Sequence, residues 1–337
     1  MTQPMLGILL ILVAGLMAGD CMLPLKFSRS WQWENTWFIF SLASLAFLPW
    51  LLALTLVDHL FATYAALGLW QFAVPLLFGV GWGIAQVLFG FSVQRLGLGL
   101  AYAIIIGLGT MLGTLVPMFA QHRAQLSSAI LLDVFCGIAV MILGIALSAW
   151  AGKKREHAQI AETHLVADGH YVSAVMMAIV CGLLAPMLNY SFAFGEPIAR
   201  AAQQLGNSPA RSAYAVWPIG LAGGLLPNLG YSIYLLRKKK TAALFQKVTP
   251  DFFWALMMAV LWMGAVALYG MSAAYLGTFG TSVGWGLFQI FMIITATVSG
   301  VFTGEWKGAP KQAVNILTLS LVLLITATGL LAMAARP

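Results

Sequence analysis

Residues 72–119 read FAVPLLFGVGWGIAQVLFGFSVQRLGLGLAYAIIIGLGTMLGTLVPMF and contain a single charged residue, Arg95. The apolar runs on either side of Arg95 are each about 20 residues long, the length at which an α-helix crosses the hydrocarbon core of a bilayer. A backbone inside lipid must satisfy its own hydrogen bonds, and apolar runs of this length do so as helices. This stretch therefore predicts two consecutive membrane-spanning helices.

The rest of the chain has the same character. Hydrophobic residues make up 61% of the 337 positions and charged residues only 8%, whereas a soluble domain carries about 25% charged residues. The alternating pattern of a membrane barrel is absent. We therefore predict an all-α integral membrane protein with ten transmembrane helices, at residues 5–23, 35–57, 72–94, 97–119, 127–150, 171–195, 212–236, 252–275, 281–303 and 311–334.

An internal repeat links the third and eighth predicted helices. Residues 82–97 (WGIAQVLFGFSVQRLG) and 262–277 (WMGAVALYGMSAAYLG) align without a gap and pair Trp82 with Trp262. Five is an odd number, so a second five-helix half must enter the membrane in the opposite sense to the first. We predict two inverted five-helix repeats, the arrangement of many secondary transporters, which place the substrate site at the interface between the repeats.

The only long polar segment, 152–170, is predicted to be a cytoplasmic linker between the halves, which cover 1–151 and 171–337. Of the 17 lysine and arginine residues, 13 fall on the side of the odd-numbered loops. Because positive charge stays in the cytoplasm during insertion, we predict a bacterial inner-membrane protein with both termini in the periplasm. The basic run Arg237–Lys240 is interpreted as a topology anchor at lipid headgroups, and nucleic acid is not expected as a partner.

Small residues at helical spacing predict close packing of helix backbones. Four pairs of glycines are separated by about one helical turn: Gly15/Gly19, Gly79/Gly83, Gly109/Gly113 and Gly220/Gly224. The alternative for each pair is static packing of the kind found in any membrane bundle.

The three cysteines, Cys21, Cys136 and Cys181, lie in different predicted helices, which favours free buried thiols over a metal or redox site.

Several stretches together carry a family resemblance: Trp31–Glu34, the glycine-rich run 82–117, Glu196–Gly206, Pro227–Gly230 and Gly304–Lys307. On these residues the chain resembles the bacterial L-rhamnose–proton symporter family of the drug/metabolite transporter superfamily. The resemblance covers nearly the whole length. It implies ten helices, proton-coupled uptake of a 6-deoxyhexose, and no bound cofactor.

A sugar site needs planar hydrogen-bonding groups and aromatic faces in a mostly apolar cavity. Helical spacing and position within the spans select candidates in helices three, six, eight and nine. The alternative for aromatic residues is an anchor at the membrane surface, which we prefer for Trp31, Trp33, Trp37, Trp150 and Trp306. The candidate substrate-binding residues are Trp82, Gln86, Asn189, Tyr190, Trp262, Tyr269, Trp285 and Gln289.

Proton coupling needs a titratable group at membrane depth, and such groups are functional candidates by default. We predict that Asp20, late in helix one, contributes to coupling; its alternative role is an ion pair with Lys26. Asp133 in helix five is a weaker candidate. Glu305 is expected to form a solvated pair with Lys307.

Other functions fit the sequence less well. A drug or metabolite exporter or exchanger of the same superfamily is the main alternative to sugar import. A sensor or scaffold would need a soluble domain, and an intramembrane enzyme would need clustered catalytic groups; neither is found, so we predict no enzymatic activity. No phosphate-binding loop and no metal spacing of histidines occurs. The expected partners are a small sugar, a proton and membrane lipid, and a monomer suffices.

Overall fold

The computed structural model describes residues 3–159, 171–246 and 250–334. Within these ranges it contains no strand, and it has ten helical segments long and apolar enough to cross a membrane, which confirms the predicted number. We label these segments α1 to α10, each with the short turns that continue it. They are α1 Gln3–Phe27, α2 Trp33–Leu56, α3 Leu69–Leu96, α4 Gly99–Gln121, α5 Ser128–Glu156, α6 Tyr171–Gln204, α7 Pro209–Lys239, α8 Pro250–Phe279, α9 Val283–Phe302 and α10 Lys311–Ala334.

Two of the segments are interrupted at prolines. In α2 a π-helical turn, Ala43–Phe47, precedes Pro49, and the Leu48 amide bonds to the Ala43 carbonyl five residues back. In α6 the helix ends at Leu184, and a short helix, Met187–Ala193, begins directly after Pro186. Proline lacks the amide hydrogen that a continuous helix would use. The break in α6 matters most, because every residue of the short helix from the second onward is buried inside the bundle.

The helices pack in pairs around a central group. α1 lies against α8 and α9, and α6 lies against α3 and α4. α3 packs along α7, while α2 contacts both α7 and α8. α5 and α10 pack along each other, and they contact the rest of the bundle through α4 and α9 respectively. The result is an inner group of eight helices with the α5–α10 pair beside it.

Glycine pairs allow the closest helix contacts, as the sequence predicts. A Cβ built on Gly79 of α3 would lie 1.8 Å from the carbonyl oxygen of Gly220 in α7. One turn further on, a Cβ on Gly83 would lie 2.7 Å from the carbonyl oxygen of Gly224. A Cβ on Gly19 of α1 would lie 2.6 Å from a side-chain atom of α9. No larger residue fits at these positions without moving a backbone.

Hydrogen bonds join neighbouring loops at each end of the bundle. We call the end of the bundle at which α1, α3, α5, α7 and α9 finish the odd-loop face, and the opposite end the even-loop face. On the odd-loop face, Asp251 at the start of α8 accepts hydrogen bonds from the backbone amides of residues 29, 30 and 31. On the even-loop face, the Asn207 side chain bonds to both backbone groups of Asp58.

The predicted linker and the predicted buried thiols differ in part from the structure. The helix of α5 continues to Gln159, through the first part of the predicted linker 152–170, and residues 160–170 lie outside the described residues. The division into halves therefore stays a prediction.

The three cysteines are free thiols, but Cys136 is exposed on α5 rather than buried. It lies on the outer side of α5. A thiol is weakly polar, so its exposure to lipid carries little desolvation cost.

Candidate functional site

A central cavity of about 360 Å³ lies between α1, α3, α4, α6, α8 and α9. Five of the eight predicted substrate-binding residues line it. Among the described residues that form its wall, none is an aspartate, glutamate, lysine, arginine or histidine. The cavity is therefore bounded by aromatic rings, aliphatic side chains and neutral polar groups. The five predicted residues are Trp82, Gln86, Trp262, Trp285 and Gln289.

Two tryptophans form one wall of the cavity. The rings of Trp82 and Trp262 stack with centroids 5.4 Å apart and planes inclined by 19°. These are the residues that the sequence repeat aligns. Trp82 is only 7% exposed, so neither lipid nor bulk solvent surrounds it. The stacked pair presents a flat apolar surface, and offset stacking of this kind holds both rings in place.

The amide side chains of Gln86 and Gln289 lie one helical turn from tryptophans on α3 and α9, and both face the cavity. An amide offers a donor and an acceptor at one position. Trp285 is fixed by its indole nitrogen, which donates to the Gly109 carbonyl at 3.3 Å. A Cβ on Gly113 would lie 2.2 Å from the same nitrogen. Of the predicted pair, Gly113 thus makes room for an indole ring, whereas Gly109 faces α6, where a Cβ would lie 3.3 Å from Ala185.

Asn189 and Tyr269 do not line the cavity; they lie fully buried at its end, next to the α8–α9 loop. The Asn189 amide donates to the carbonyls of Gly113 at 2.9 Å and Thr281 at 2.8 Å. The Tyr269 hydroxyl donates to the Asn189 side-chain oxygen. The two residues form one hydrogen-bonded layer that joins α4, α6, α8 and the α8–α9 loop. Their predicted contact with substrate stays a prediction.

Tyr190 points away from the cavity. Its ring packs against Phe78 at 5.6 Å and Phe194 at 6.2 Å between centroids. Consecutive residues on a helix are separated by about 100° of rotation because a turn holds 3.6 residues. Asn189 and Tyr190 therefore cannot both face the same space, and the short helix turns Asn189 toward the bundle centre.

Asp20 lies beside the cavity at the end of α1. Its neighbours Gly19 and Cys21 line the cavity. One oxygen of the Asp20 carboxyl is buried and has no hydrogen-bond partner among the described residues. The alternative partner, Lys26, bonds instead to Thr303 and Glu305. The role of Asp20 in proton coupling is untested by these contacts.

Glu305 forms a wider ion network than the predicted pair with Lys307. It binds Lys26 at the end of α1 and Arg155 at the end of α5. The guanidinium of Arg155 also lies over the Trp306 ring, 5.0 Å from its centroid. The hydrogen bond from Lys26 holds the pKa of the Glu305 carboxyl below its usual value. Residues distant in the chain meet here because α1, α5 and the α9–α10 loop converge on the odd-loop face.

Sequence reasoning missed Tyr102, which lines the central cavity from α4. Tyr102 and Ala296 also line a smaller space of about 160 Å³ that reaches Arg155 and Glu305. Tyr102 and Ala296 therefore lie between the central cavity and this smaller space, on the side of the odd-loop face. A signal was available in the sequence, because Tyr102 is the one tyrosine in the apolar stretch 72–119.

Comparison with known proteins agrees with this architecture. The family model of the L-rhamnose-proton symport protein (RhaT) matches residues 2–335. The chain belongs to this family. The resemblance inferred from the sequence motifs is therefore confirmed, and the chain is a multi-pass inner-membrane protein of a symport family.

Relatives of known family align with this chain over almost their full length. The L-rhamnose-proton symporter of Escherichia coli O17:K52:H18 is 24% identical over 341 residues, which cover 97% of each chain. The corresponding symporter of Citrobacter koseri is 25% identical over 347 residues, again 97% of each chain. That of Cronobacter sakazakii is 25% identical over 336 residues, 96% of each chain.

Proposed function

We propose that this protein imports L-rhamnose or a similar deoxy sugar together with a proton across the bacterial inner membrane. Family membership and the names of the relatives support the reaction. The structural observation that supports it best is the central cavity, whose stacked Trp82–Trp262 pair and two glutamine amides surround a space without ionised side chains in its described wall.

The chemistry of the cavity suits a neutral sugar. Tryptophan faces contact the C–H groups and the methyl group of a deoxy sugar, while glutamine amides donate to and accept from its hydroxyls. A charged cargo would lose its hydration without gaining an opposite charge, which is costly in an apolar site. The volume of about 360 Å³ lies at the small end of ligand pockets, about 300–1,000 Å³. A small uncharged ligand fits these conditions.

Two inverted five-helix repeats supply the transport mechanism that we propose. Adding five to each helix number maps the contact α1–α8 onto α6–α3, α1–α9 onto α6–α4, and α3–α7 onto α8–α2, and all of these pairs are in contact. The pairs α2–α7 and α5–α10 map onto themselves. Such a pattern is expected when two similar halves surround one site and can exchange conformations to open it to either side.

Orientation follows from charge. Because 13 of the 17 basic residues fall in or beside the odd-numbered loops of the sequence, we place the odd-loop face in the cytoplasm and both termini in the periplasm. A phosphatase fused after residue 337 should be active in the periplasm, whereas one inserted in the segment 160–170 should be inactive.

Asp20 is proposed to carry the coupled proton. It is the acidic residue closest in sequence to the cavity wall, and its buried oxygen lacks a partner among the described residues. Proton coupling needs an ionisable group at membrane depth, and such groups are functional candidates by default. The unpaired oxygen supports this role better than a permanent ion pair would.

Reconstituted vesicles test the function directly. Purified protein in proteoliposomes should accumulate radiolabelled L-rhamnose when the outside is more acidic, and a protonophore should abolish the accumulation. The enantiomer D-rhamnose serves as a matched control of identical polarity and should not accumulate. Absence of uptake under either direction of the gradient would contradict the proposal and favour a different cargo or export.

A further inference from the structure

A second pocket of about 250 Å³ opens on the even-loop face. It lies between the end of α4 and the segments α6, α7 and α8. Unlike the central cavity, its wall contains several polar and titratable side chains. We call it the outer pocket, and its polar lining includes Gln121, His122, Glu196, Gln203 and Thr278.

The Asn189–Tyr269 layer lies between the two cavities. On α6, Leu188 lines the central cavity and Phe192 lines the outer pocket. On α8, Val266 lines the central cavity and Gly270 lines the outer pocket. On both helices the buried polar residue thus falls at the level where the lining changes from one cavity to the other.

Hydrogen bonds tie this layer to the outer pocket. Thr281 lines the outer pocket, and its carbonyl accepts from the Asn189 amide at 2.8 Å. The Tyr269 hydroxyl, which donates its one hydrogen to Asn189, lies 3.2 Å from the same carbonyl. Aromatic rings also pack beside the Asn189–Tyr269 layer: Phe192 stacks on Trp217 with centroids 4.7 Å apart. These contacts lie between the outer pocket and the central cavity.

The outer pocket has the groups that a polyol requires. Gln121 donates one amide hydrogen to the Ala193 carbonyl at 2.8 Å, and the remaining donor and acceptor positions of its amide are available to a ligand. Burial lowers the pKa of His122 despite the opposing effect of Glu196, so the neutral imidazole can both donate and accept. Its ring also lies edge-on to Phe279.

One buried donor beside the outer pocket has no partner. The indole nitrogen of Trp217 is buried and lacks a hydrogen-bond acceptor among the described residues. It lies next to Gly270, where a Cβ would approach it to 2.9 Å, and Gly270 is part of the pocket wall. Trp217 itself does not line the pocket, because Gly270 lies between its indole nitrogen and the pocket space.

We propose that the outer pocket is a second sugar-binding site and that the Asn189–Tyr269 pair is the gate that separates it from the central cavity. The choice of sugar as ligand rests on the proposed function, whereas the gate does not depend on the identity of the cargo. A sugar would bind first in the outer pocket and enter the central cavity when the Tyr269–Asn189 hydrogen bond breaks.

Cysteine labelling tests the gate without any sugar. In a background with Cys21, Cys136 and Cys181 replaced by alanine, Ala185→Cys reports on the central cavity and Ala274→Cys on the outer pocket. An impermeant maleimide applied at the even-loop face should label position 274 but not position 185. The reverse should hold for reagent applied at the odd-loop face.

Removing the Tyr269 hydroxyl should open the gate. Tyr269→Phe keeps the ring contacts but deletes the hydrogen bond to Asn189, so labelling of position 185 from the even-loop face should rise about tenfold. Tyr275→Phe, on the same helix, is the matched control and should leave labelling unchanged. Asn189→Ala provides a second variant that should act in the same direction. Equal labelling of position 185 in the Tyr269→Phe variant and its parent would overturn the gate.

Protection by sugar tests the second site. L-rhamnose should slow labelling of Ala274→Cys by about tenfold at saturation, and D-rhamnose should not. The protection should persist in a Trp82→Ala background, because that substitution damages only the central cavity. Protection that disappears with Trp82→Ala, or uptake of L-rhamnose without any protection, would exclude a second site. Failure of uptake with normal sidedness of labelling would reject the sugar assignment while leaving the gate supported.

Discussion

At the scale of single residues, the candidate site depends on where neutral polar groups and aromatic rings face the cavity. Trp82 and Trp262 stack on each other, and Gln86 and Gln289 add amides on the helices beside them. Asp20 is the one acidic residue whose immediate neighbours, Gly19 and Cys21, both belong to the cavity wall. Sugar recognition and proton coupling are thus assigned to different side chains, and each can be removed separately.

Replacing Trp82 should weaken sugar binding. Trp82→Ala removes the stacked surface and should raise the KM for L-rhamnose about tenfold, the effect of losing one aromatic contact in a desolvated site. Trp82→Phe should have a smaller effect. The same residue type elsewhere on α3, Trp70, is 74% exposed, and Trp70→Ala should leave KM unchanged. Similar KM values for the two alanine variants would contradict the assignment of Trp82.

Replacing Asp20 should separate sugar movement from proton movement. Asp20→Asn retains a polar side chain of the same shape but cannot lose a proton, so accumulation driven by a pH gradient should stop. Exchange of labelled for unlabelled sugar should continue. Asp133→Asn in α5 is the control and should accumulate sugar normally. If Asp20→Asn vesicles still concentrate L-rhamnose, another group carries the proton.

At the scale of helices, close backbone contact sets the position of the cavity wall. α3 carries Trp82 and Gln86, and its path is determined by Gly79 and Gly83 against α7. Without a hydrophobic driving force between helices in lipid, such van der Waals packing supplies much of the association energy. A residue too large at this contact should displace α3 and with it both cavity residues.

Gly79→Ala should therefore destabilise the protein although alanine favours helix formation. The added methyl would lie 1.8 Å from the Gly220 carbonyl, and overpacking of this kind costs about 1–3 kcal/mol. Gly90, on the same helix, has no atom within 4 Å of the corresponding position, so Gly90→Ala should be neutral or slightly stabilising. Thermal unfolding in detergent, followed by size-exclusion chromatography, measures both. A higher Tm for Gly79→Ala would exclude the close contact.

At the scale of the whole molecule, the two faces are closed by different kinds of interaction. The even-loop face has the buried Asn189–Tyr269 layer, while the odd-loop face has the partly exposed network of Lys26, Arg155 and Glu305. Exposed ion pairs contribute only about 0–1 kcal/mol each. The Lys26–Arg155–Glu305 network should accordingly break more easily than the buried Asn189–Tyr269 layer.

The Glu305 network should make stability weakly dependent on acid. Because the pKa of Glu305 is lower in the folded protein, its contribution is fully present above the unfolded value, about 4.3, and is lost as the pH falls through the lowered folded value. Glu305→Gln should remove this dependence and lower stability at neutral pH by less than about 1 kcal/mol, because the side chain is 40% exposed. Glu196→Gln, whose partner Arg200 is one turn away on the same helix, is the control. Identical acid profiles for the parent and Glu305→Gln would contradict the network.

The number of spans and the family could be read from the sequence because both depend on local features. A run of about 20 apolar residues is a helix in lipid wherever it lies in the chain, and motifs such as Gly304–Lys307 identify relatives without any knowledge of packing. The spacing of Trp82 and Gln86 on one helical turn likewise placed both on one face, and both line the cavity.

Only the tertiary structure decided which of the remaining polar side chains meet the cavity and which partners they choose. The break at Pro186 sets the rotation of the short helix, which turns Asn189 inward and Tyr190 toward Phe78. Glu305 binds Lys26, 279 residues away, whereas the sequence pattern pointed to nearby Lys307 as its partner. Rotation about a helix axis and contacts between distant segments arise from packing of the whole bundle, and no local pattern of residues encodes them.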